Sequence, residues 1–184
     1  ASSPTEPEIR FGAKFYTPPS SFKKALAALS PGGTMVAGQL AGDFTLPKDP
    51  MQKLVFIAGG IGVTPFRSMI KFLLDTKDHR TITLFYSNKT IGEIAYKELF
   101  DQAEREIGMK TIYTLNDAKE TPPGWVGHMG FLTGEIIAKE VPDYRERTFY
   151  LSGPHGMVSA FEKTLSEMGV PRRNIKTDFF PGYA

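Results

Sequence analysis

The chain has no cysteine in its 184 residues. Disulfides and thiolate-held metal or iron–sulfur sites are therefore excluded within it, while the redox compartment stays open. Histidine is scarce. His79, His128 and His155 are scattered without the spacing of a ligand set, so no metal site is expected. No hydrophobic run approaches the roughly 20 residues that span a bilayer, and no signal-peptide pattern is read. One-sided charge is missing too. A formal net charge of +2 with no long basic run argues against nucleic acid or a membrane surface as partner. There are no internal repeats and no low-complexity tracts. Two common nucleotide signatures are also absent: Gly-x-Gly-x-x-Gly, and a Gly-rich loop ending in Gly-Lys-Ser/Thr.

What remains is ordinary in bulk, with 41% hydrophobic and 23% charged residues. The length suits one full domain plus part of another. One segment stands out, Lys53-Leu54-Val55-Phe56-Ile57-Ala58-Gly59-Gly60-Ile61-Gly62-Val63-Thr64-Pro65-Phe66-Arg67. An apolar, β-branched strand runs into a glycine-rich turn and then a helix. Thr64 reads as the N-cap and Pro65 as the first helical residue. Such a turn lets backbone N–H groups approach an anion, and the helix start adds unpaired donors. A tight turn without a ligand is the alternative.

Residues 1–50 differ from the rest. They are rich in Pro and Gly, with short β-like pieces at 8–16, 35–40 and 44–46. A short helix over 21–29 follows Ser20 or Ser21 as N-cap, with Phe22, Leu26 and Leu29 on one face. Such pieces read as the edge of an antiparallel barrel, too few to close one. From Met51 strands and helices alternate. Strands are expected at 54–58, 81–86, 111–115, 148–151 and 174–178. Helices between them carry Phe66, Met69, Ile70, Leu73 and Leu74, then Tyr96, Leu99, Phe100, Ala103 and Ile107, and last Met157, Val158, Phe161, Leu165 and Met168. The expected fold is α/β: a doubly wound, parallel, five-stranded domain over 51–184, preceded over 1–50 by part of an antiparallel β-barrel.

Ligands of such sheets sit at the strand carboxyl ends. Three loops fall there: 59–65, then Ser152-Gly153-Pro154-His155-Gly156-Met157, then Asp178-Phe179-Phe180-Pro181-Gly182-Tyr183. Together these residues resemble the ferredoxin–NADP reductase superfamily over essentially the whole chain. Residues 58–65 are similar to its pyrophosphate loop for NAD(P)H. Residues 152–157 are similar to its Cys-Gly-Pro-x-x-Met loop beside the nicotinamide, with Ser152 in place of Cys. The C-terminal aromatics are similar to those beside the flavin ring. Trp125-Val126-Gly127-His128-Met129-Gly130 resembles its Trp-x-Gly-x-x-Gly stretch.

The resemblance implies hydride transfer from NAD(P)H to FAD, then electron transfer to a redox partner or fused redox domain. It implies that Gly59, Gly60, Gly62, Val63, Thr64 and Pro65 hold the pyrophosphate, and that Gly153 and Pro154 shape the nicotinamide edge. Ser152 and Asp178 fall near the reacting centre. For Ser152 a turn role, and for Asp178 a solvated carboxylate, stand as alternatives. Phe180 or Tyr183 covers the flavin face or packs on the core. Ser20, Ser21 and Phe22 are similar to the helix start that holds the flavin pyrophosphate. Residues 1–6 are similar to the stretch just after the family's flavin-binding Arg motif. The chain is thus expected to begin partway through a flavin domain over 1–50, with 51–184 the NAD(P)-binding domain. FAD is then expected in a longer parent and held only weakly by these residues alone. A cytoplasmic location is expected, with membrane attachment only through a region outside this sequence. The signals for nucleotide choice oppose one another: Lys89 suits a 2′-phosphate, whereas Leu115-Asn116 carries no Arg. A module that keeps the fold for nucleotide binding or interaction, without turnover, is the second functional reading.

Overall fold

A computed structural model describes residues 1–36, 38, 42–117 and 123–180, with the side chains of Phe179 and Phe180 outside the description. Helix α1 spans Ser21–Ala27. Then follow β1 Leu54–Gly59, α2 Thr64–Thr76, β2 Ile82–Asn88, α3 Lys97–Ile107, β3 Lys110–Leu115, β4 His128–Met129, α4 Gly134–Glu140, β5 Thr148–Pro154, α5 His155–Glu167 and β6 Ile175–Phe180. All strand pairs are parallel, in the order β4-β3-β2-β1-β5-β6. The chain builds outward from β1 to β4, then returns to the other side of β1 with β5. The reversal lies between β1 and β5, where an open α/β sheet places its crevice.

All six residues of β1 are buried, as a central parallel strand covered on both faces requires. On one face Phe56, Tyr86 and Tyr150 pack with Phe66, Leu73 and Phe100 from α2 and α3. On the other, Val55, Ile57, Phe85 and Phe149 pack with Ile137 from α4 and Val158 and Leu165 from α5. Phe56 and Phe66 stack at 4.6 Å between ring centroids, and such pairs add about 1 kcal/mol beyond burial.

The structure corrects three expectations. The sheet has six strands, not five: His128 and Met129 pair with Thr114 and Leu115 at the edge. A two-residue strand has no readable periodicity. Next, no strand forms before Leu54 among the described residues: the β-like pieces at 8–16 and 44–46 are not strands here, while residues 37, 39 and 40 of the piece at 35–40 lie outside the described residues. An extended segment becomes a strand only when a neighbour takes its backbone groups along a ladder, and the hydrogen bond from the Ser2 N–H to the Arg10 carbonyl, 3.0 Å, does not make one. Helix α1 likewise buries none of its residues. Finally, Thr64 is not an N-cap. A 3-10 turn over Gly60–Val63 enters α2 directly, and Val63 already has helical angles, φ −68° and ψ −16°. Thr64 is therefore the first residue of α2, and the entry has no side-chain cap.

The N-terminal segment is tied across α2. Glu6 accepts hydrogen bonds from both terminal nitrogens of Arg67, 2.8 Å for Nη2. Ser68 donates to the Ser2 carbonyl at 2.7 Å. The Arg67 guanidinium and the Ser3 N–H hold the Glu6 carboxyl at about 2, below its ordinary 4.5. A carboxyl depressed on folding stabilises above its unfolded value and loses that contribution as pH falls through the folded one. Glu6→Gln is thus expected to lower the Tm at pH 7, with the deficit shrinking from about pH 4.5 and gone near pH 2. A pH series of thermal melts checks this; a pH-independent deficit would assign Glu6 a packing role only.

Candidate functional site

A cleft of about 1100 Å³ opens at the carboxyl ends of the central strands. Its floor is the turn after β1: Gly59, Gly60, Ile61 and Gly62, with Thr64 beyond. Gly153 and Pro154, at the end of β5, form one wall with Met157 from α5. Ser87, Asn88 and Lys89 at the end of β2, and Asn116 after β3, form the other. The N-terminal segment closes a third side with Gly12, Lys14 and Tyr16.

The glycines differ in what they do. Gly60 has φ +51° and faces open space, with nothing within 4 Å of a Cβ built there. It gives the turn a left-handed residue and leaves the floor bare for a ligand. A Cβ on Gly62 would stand 2.5 Å from both Gly153 Cα and the Ser152 carbonyl oxygen. Gly62 thus lets the turn press onto the backbone of β5. A Cβ on Gly59 would instead meet the side chain of Met157, which can turn aside. The first N–H groups of a helical turn have no partner within it, and the helix dipole makes the same end attractive to anions. A bare floor, free donors and a favourable dipole together suit a diphosphate.

Not every residue expected at the site lines the cleft. Gly59, Gly60, Gly62, Thr64, Gly153, Pro154 and Ser20 do. Val63 is wholly buried in the core, and Pro65 is half-buried on α2 outside the lining. Ser152 is outside the lining, with no exposed surface and no hydrogen-bond partner for its Oγ. Asp178 sits opposite Ser152 on β6, half-buried. Burial pushes its carboxyl above the ordinary carboxylate range. Ser20 caps α1 by accepting the Lys23 N–H at 3.3 Å. Ser21 and Phe22 are exposed and outside the lining. Tyr183 and the side chain of Phe180 lie outside the described residues. Among the described residues no group of metal-ligating side chains forms.

Sequence reasoning places the loop Ser87-Asn88-Lys89-Thr90 and Asn116 near the site but does not select Glu93 or Lys14. Glu93 pairs with Lys14 at 2.7 Å across the cleft wall, and that ammonium holds its carboxyl below the usual range. These residues show no motif. Only the parallel register brings Ser87 opposite Gly59.

Residues 56–163 match the model of the oxidoreductase NAD-binding domain. The chain belongs to that family. The F component of the Na(+)-translocating NADH-quinone reductase of Methylococcus capsulatus is 33% identical over 177 residues, 94% of this chain and 43% of that protein. Its Pseudomonas aeruginosa counterpart is 31% identical, over 90% of this chain and 41% of that protein. This NAD-binding chain therefore spans less than half the length of the curated relatives it matches. Among solved structures, the Amycolatopsis cytochrome P450 reductase GcoB superposes with a TM-score of 0.66 at 25% identity, over 82% of this chain and 50% of that one. The flavohem-like FAD/NAD-binding domain of the Vibrio cholerae nitric oxide dioxygenase gives 0.66 at 23%, over 76% and 55%, a likeness of fold. The resemblance to the ferredoxin–NADP reductase superfamily is thus shown, and the chain is an NAD-binding domain of the oxidoreductase type. No helix among the described residues is long and apolar enough to cross a membrane.

Proposed function

We propose that the chain is the nucleotide-binding part of a flavin-dependent reductase. It seats NADH so that hydride passes to FAD, and electrons continue to a redox partner. The observation that carries this reading is the bare glycine floor at the β1–β5 reversal, with Gly60 open to the cleft and the turn's first N–H groups beneath it. One observation favours NADH over NADPH: the quinone-reductase relatives take their name from NADH.

In this reading the N–H groups of the turn hold the diphosphate. Gly153 and Pro154 flank the nicotinamide, and Met157 packs beneath it. When bound, FAD supplies the acceptor for the hydride. Ser152 and Asp178, partners across β5 and β6, act near that end of the cleft, Asp178 as a carboxyl that burial holds above the ordinary carboxylate range. Residues 1–50 form the end of the flavin-binding barrel, with Ser20, Ser21 and Phe22 on its side, and 51–184 form the NAD(P)-binding domain. The many exposed apolar side chains of the first segment, Ile9, Phe11, Phe15, Phe22 and Val36 among them, support a further covering layer there. Phe180 and Tyr183 cover the flavin face.

The test is anaerobic mixing of NADH with the full-length flavoprotein. Bleaching of the oxidised flavin band, faster with NADH than with NADPH at equal concentration, is expected. A band unchanged by either nucleotide would sink the reading. The 184-residue chain alone is expected to emerge from gel filtration colourless; stoichiometric FAD on it would move the flavin site into these residues.

A further inference from the structure

Tyr96 stands just before α3 with φ +60° and ψ 23°. That is the left-handed region, where a bulky residue is an outlier. Among the described residues Lys77 is the other non-glycine there, but it ends α2, the ordinary place for a left-handed residue. Tyr96 makes no side-chain cap to α3. Asn would take the same angle with less strain and cap the helix as well. Such strain persists only where the surroundings over-determine it, and it gathers at sites where it serves function. The ring, not the backbone, is therefore what a tyrosine supplies at this position.

The ring lies between α2 and the N-terminal segment. The Arg67 guanidinium carbon is 5.9 Å from the ring centroid, and Arg67 is itself held by Glu6. The Tyr96 hydroxyl reaches Gly12. A Cβ built on Gly12 would stand 2.9 Å from that oxygen and 2.9 Å from Thr64 Cγ2. Thr64 is β-branched and stiff within its helix, and Arg67 lies against the ring, so neither neighbour yields freely. Gly12 is thus where the N-terminal segment rests on the domain below it. Gly12 and Lys14 line the cleft, whereas Tyr96 does not. Tyr96 acts on the cleft through Gly12.

We infer that Tyr96 is a positioning residue: with Thr64 it sets how closely the N-terminal segment approaches the glycine floor, and so the distance across which hydride passes. The inference rests on the proposed function, in which the floor holds the diphosphate and the N-terminal segment stands on the flavin side. Affinity then belongs to the floor and rate to the spacing. Hydride transfer needs the reacting atoms about 3–3.5 Å apart, and a misplacement of about 1 Å costs on the order of 100-fold.

The experiment is anaerobic rapid mixing of the full-length flavoprotein with a series of NADH concentrations. It reads a plateau rate of flavin bleaching and a half-saturating concentration, with flavin content and Tm measured on each variant. Gly12→Ala lifts the segment, and its plateau rate is expected to fall about tenfold while half-saturation stays within about twofold. Tyr96→Asn keeps the left-handed angle without the ring and is expected to do the same. Tyr96→Phe keeps the ring against Arg67 and is expected to stay close to the native rate. If NADH does not bleach the native flavoprotein, the proposed function falls and the inference with it. If it does, and Gly12→Ala or Tyr96→Asn keeps the native plateau rate, the inference alone is overturned. A half-saturating concentration that rises as the rate falls would make these residues part of nucleotide binding and overturn it. Lost flavin or a Tm lower by more than a few degrees alongside the slower rate would make the role structural and overturn it too. Tyr96→Phe as slow as Tyr96→Asn would overturn the assignment to the ring.

Discussion

Gly62→Ala is expected to melt roughly 10 °C below the native chain, from a cost of about 3 kcal/mol. The new Cβ would meet Gly153 Cα at 2.5 Å, the Ser152 carbonyl oxygen at 2.5 Å and the Gly153 nitrogen at 2.6 Å. All three are backbone atoms at the end of β5, a strand paired to β1 through five residues. Neither side can yield by turning a side chain. The turn must lift or β5 must shift, and either movement opens the core around Val63 and Leu151, both fully buried. Gly62→Val adds little to this, because the conflict is already complete at Cβ. Differential scanning calorimetry of the free chain decides the matter. A native-like Tm for Gly62→Ala would mean that the turn does not press on β5.

Gly60→Asn is expected to do the reverse: keep the fold and weaken NADH roughly 10- to 100-fold. Gly60 has φ +51°, in the left-handed region that Asn tolerates better than other non-glycine residues. Its Cβ would stand in open space, so nothing in the protein objects to it. A diphosphate on the floor would. Backbone N–H groups reach an anion closely only where no side chain intervenes, and hydrogen bonds to charged groups contribute about 1.5–3 kcal/mol each. The Tm should change by no more than a few degrees while the calorimetric affinity collapses. Unchanged affinity would place the phosphates elsewhere. Two glycines in one short turn thus separate into one that holds the fold and one that serves the ligand.

That separation marks the limit of what was legible in the sequence. The glycine-rich turn, its strand and its helix could be read because long apolar runs and helical spacing are strong signals. The five strands expected from Met51 onward are present for the same reason. The chemical purpose of each glycine was not legible, since the contact that requires Gly62 comes from Ser152 and Gly153, far along the chain. Thr64 is not the cap it resembles because no residue pattern announces the 3-10 turn ahead of it. His128 and Met129 became a strand only through pairing with the end of β3. Trp125 reads as a loop-packing residue, and it does pack on Tyr113 at 6.2 Å. The loop Ser87-Asn88-Lys89-Thr90 was legible as the one on which nucleotide choice rests, because it follows the second strand; the burial of Asn88 was not, since only the sheet order supplies it.

The candidate site shows the same division. Gly59, Gly60, Gly62, Gly153 and Pro154 meet in one cleft, as loops at strand carboxyl ends should. Ser152 is wholly buried and does not line the cleft, because β5 is covered on both faces up to Gly153. Alternation along a strand follows from local geometry, but which face becomes cleft and which becomes core is set by the helices that cover it.

The most direct measurement is an amide NMR titration of the 184-residue chain with NADH. A nucleotide seated on the glycine floor predicts saturable shifts centred on residues 59–62, 87–89 and 153–157, with the far ends of the strands unmoved. Absence of saturable shifts, or shifts gathered away from the carboxyl ends of β1, β2 and β5, would contradict it.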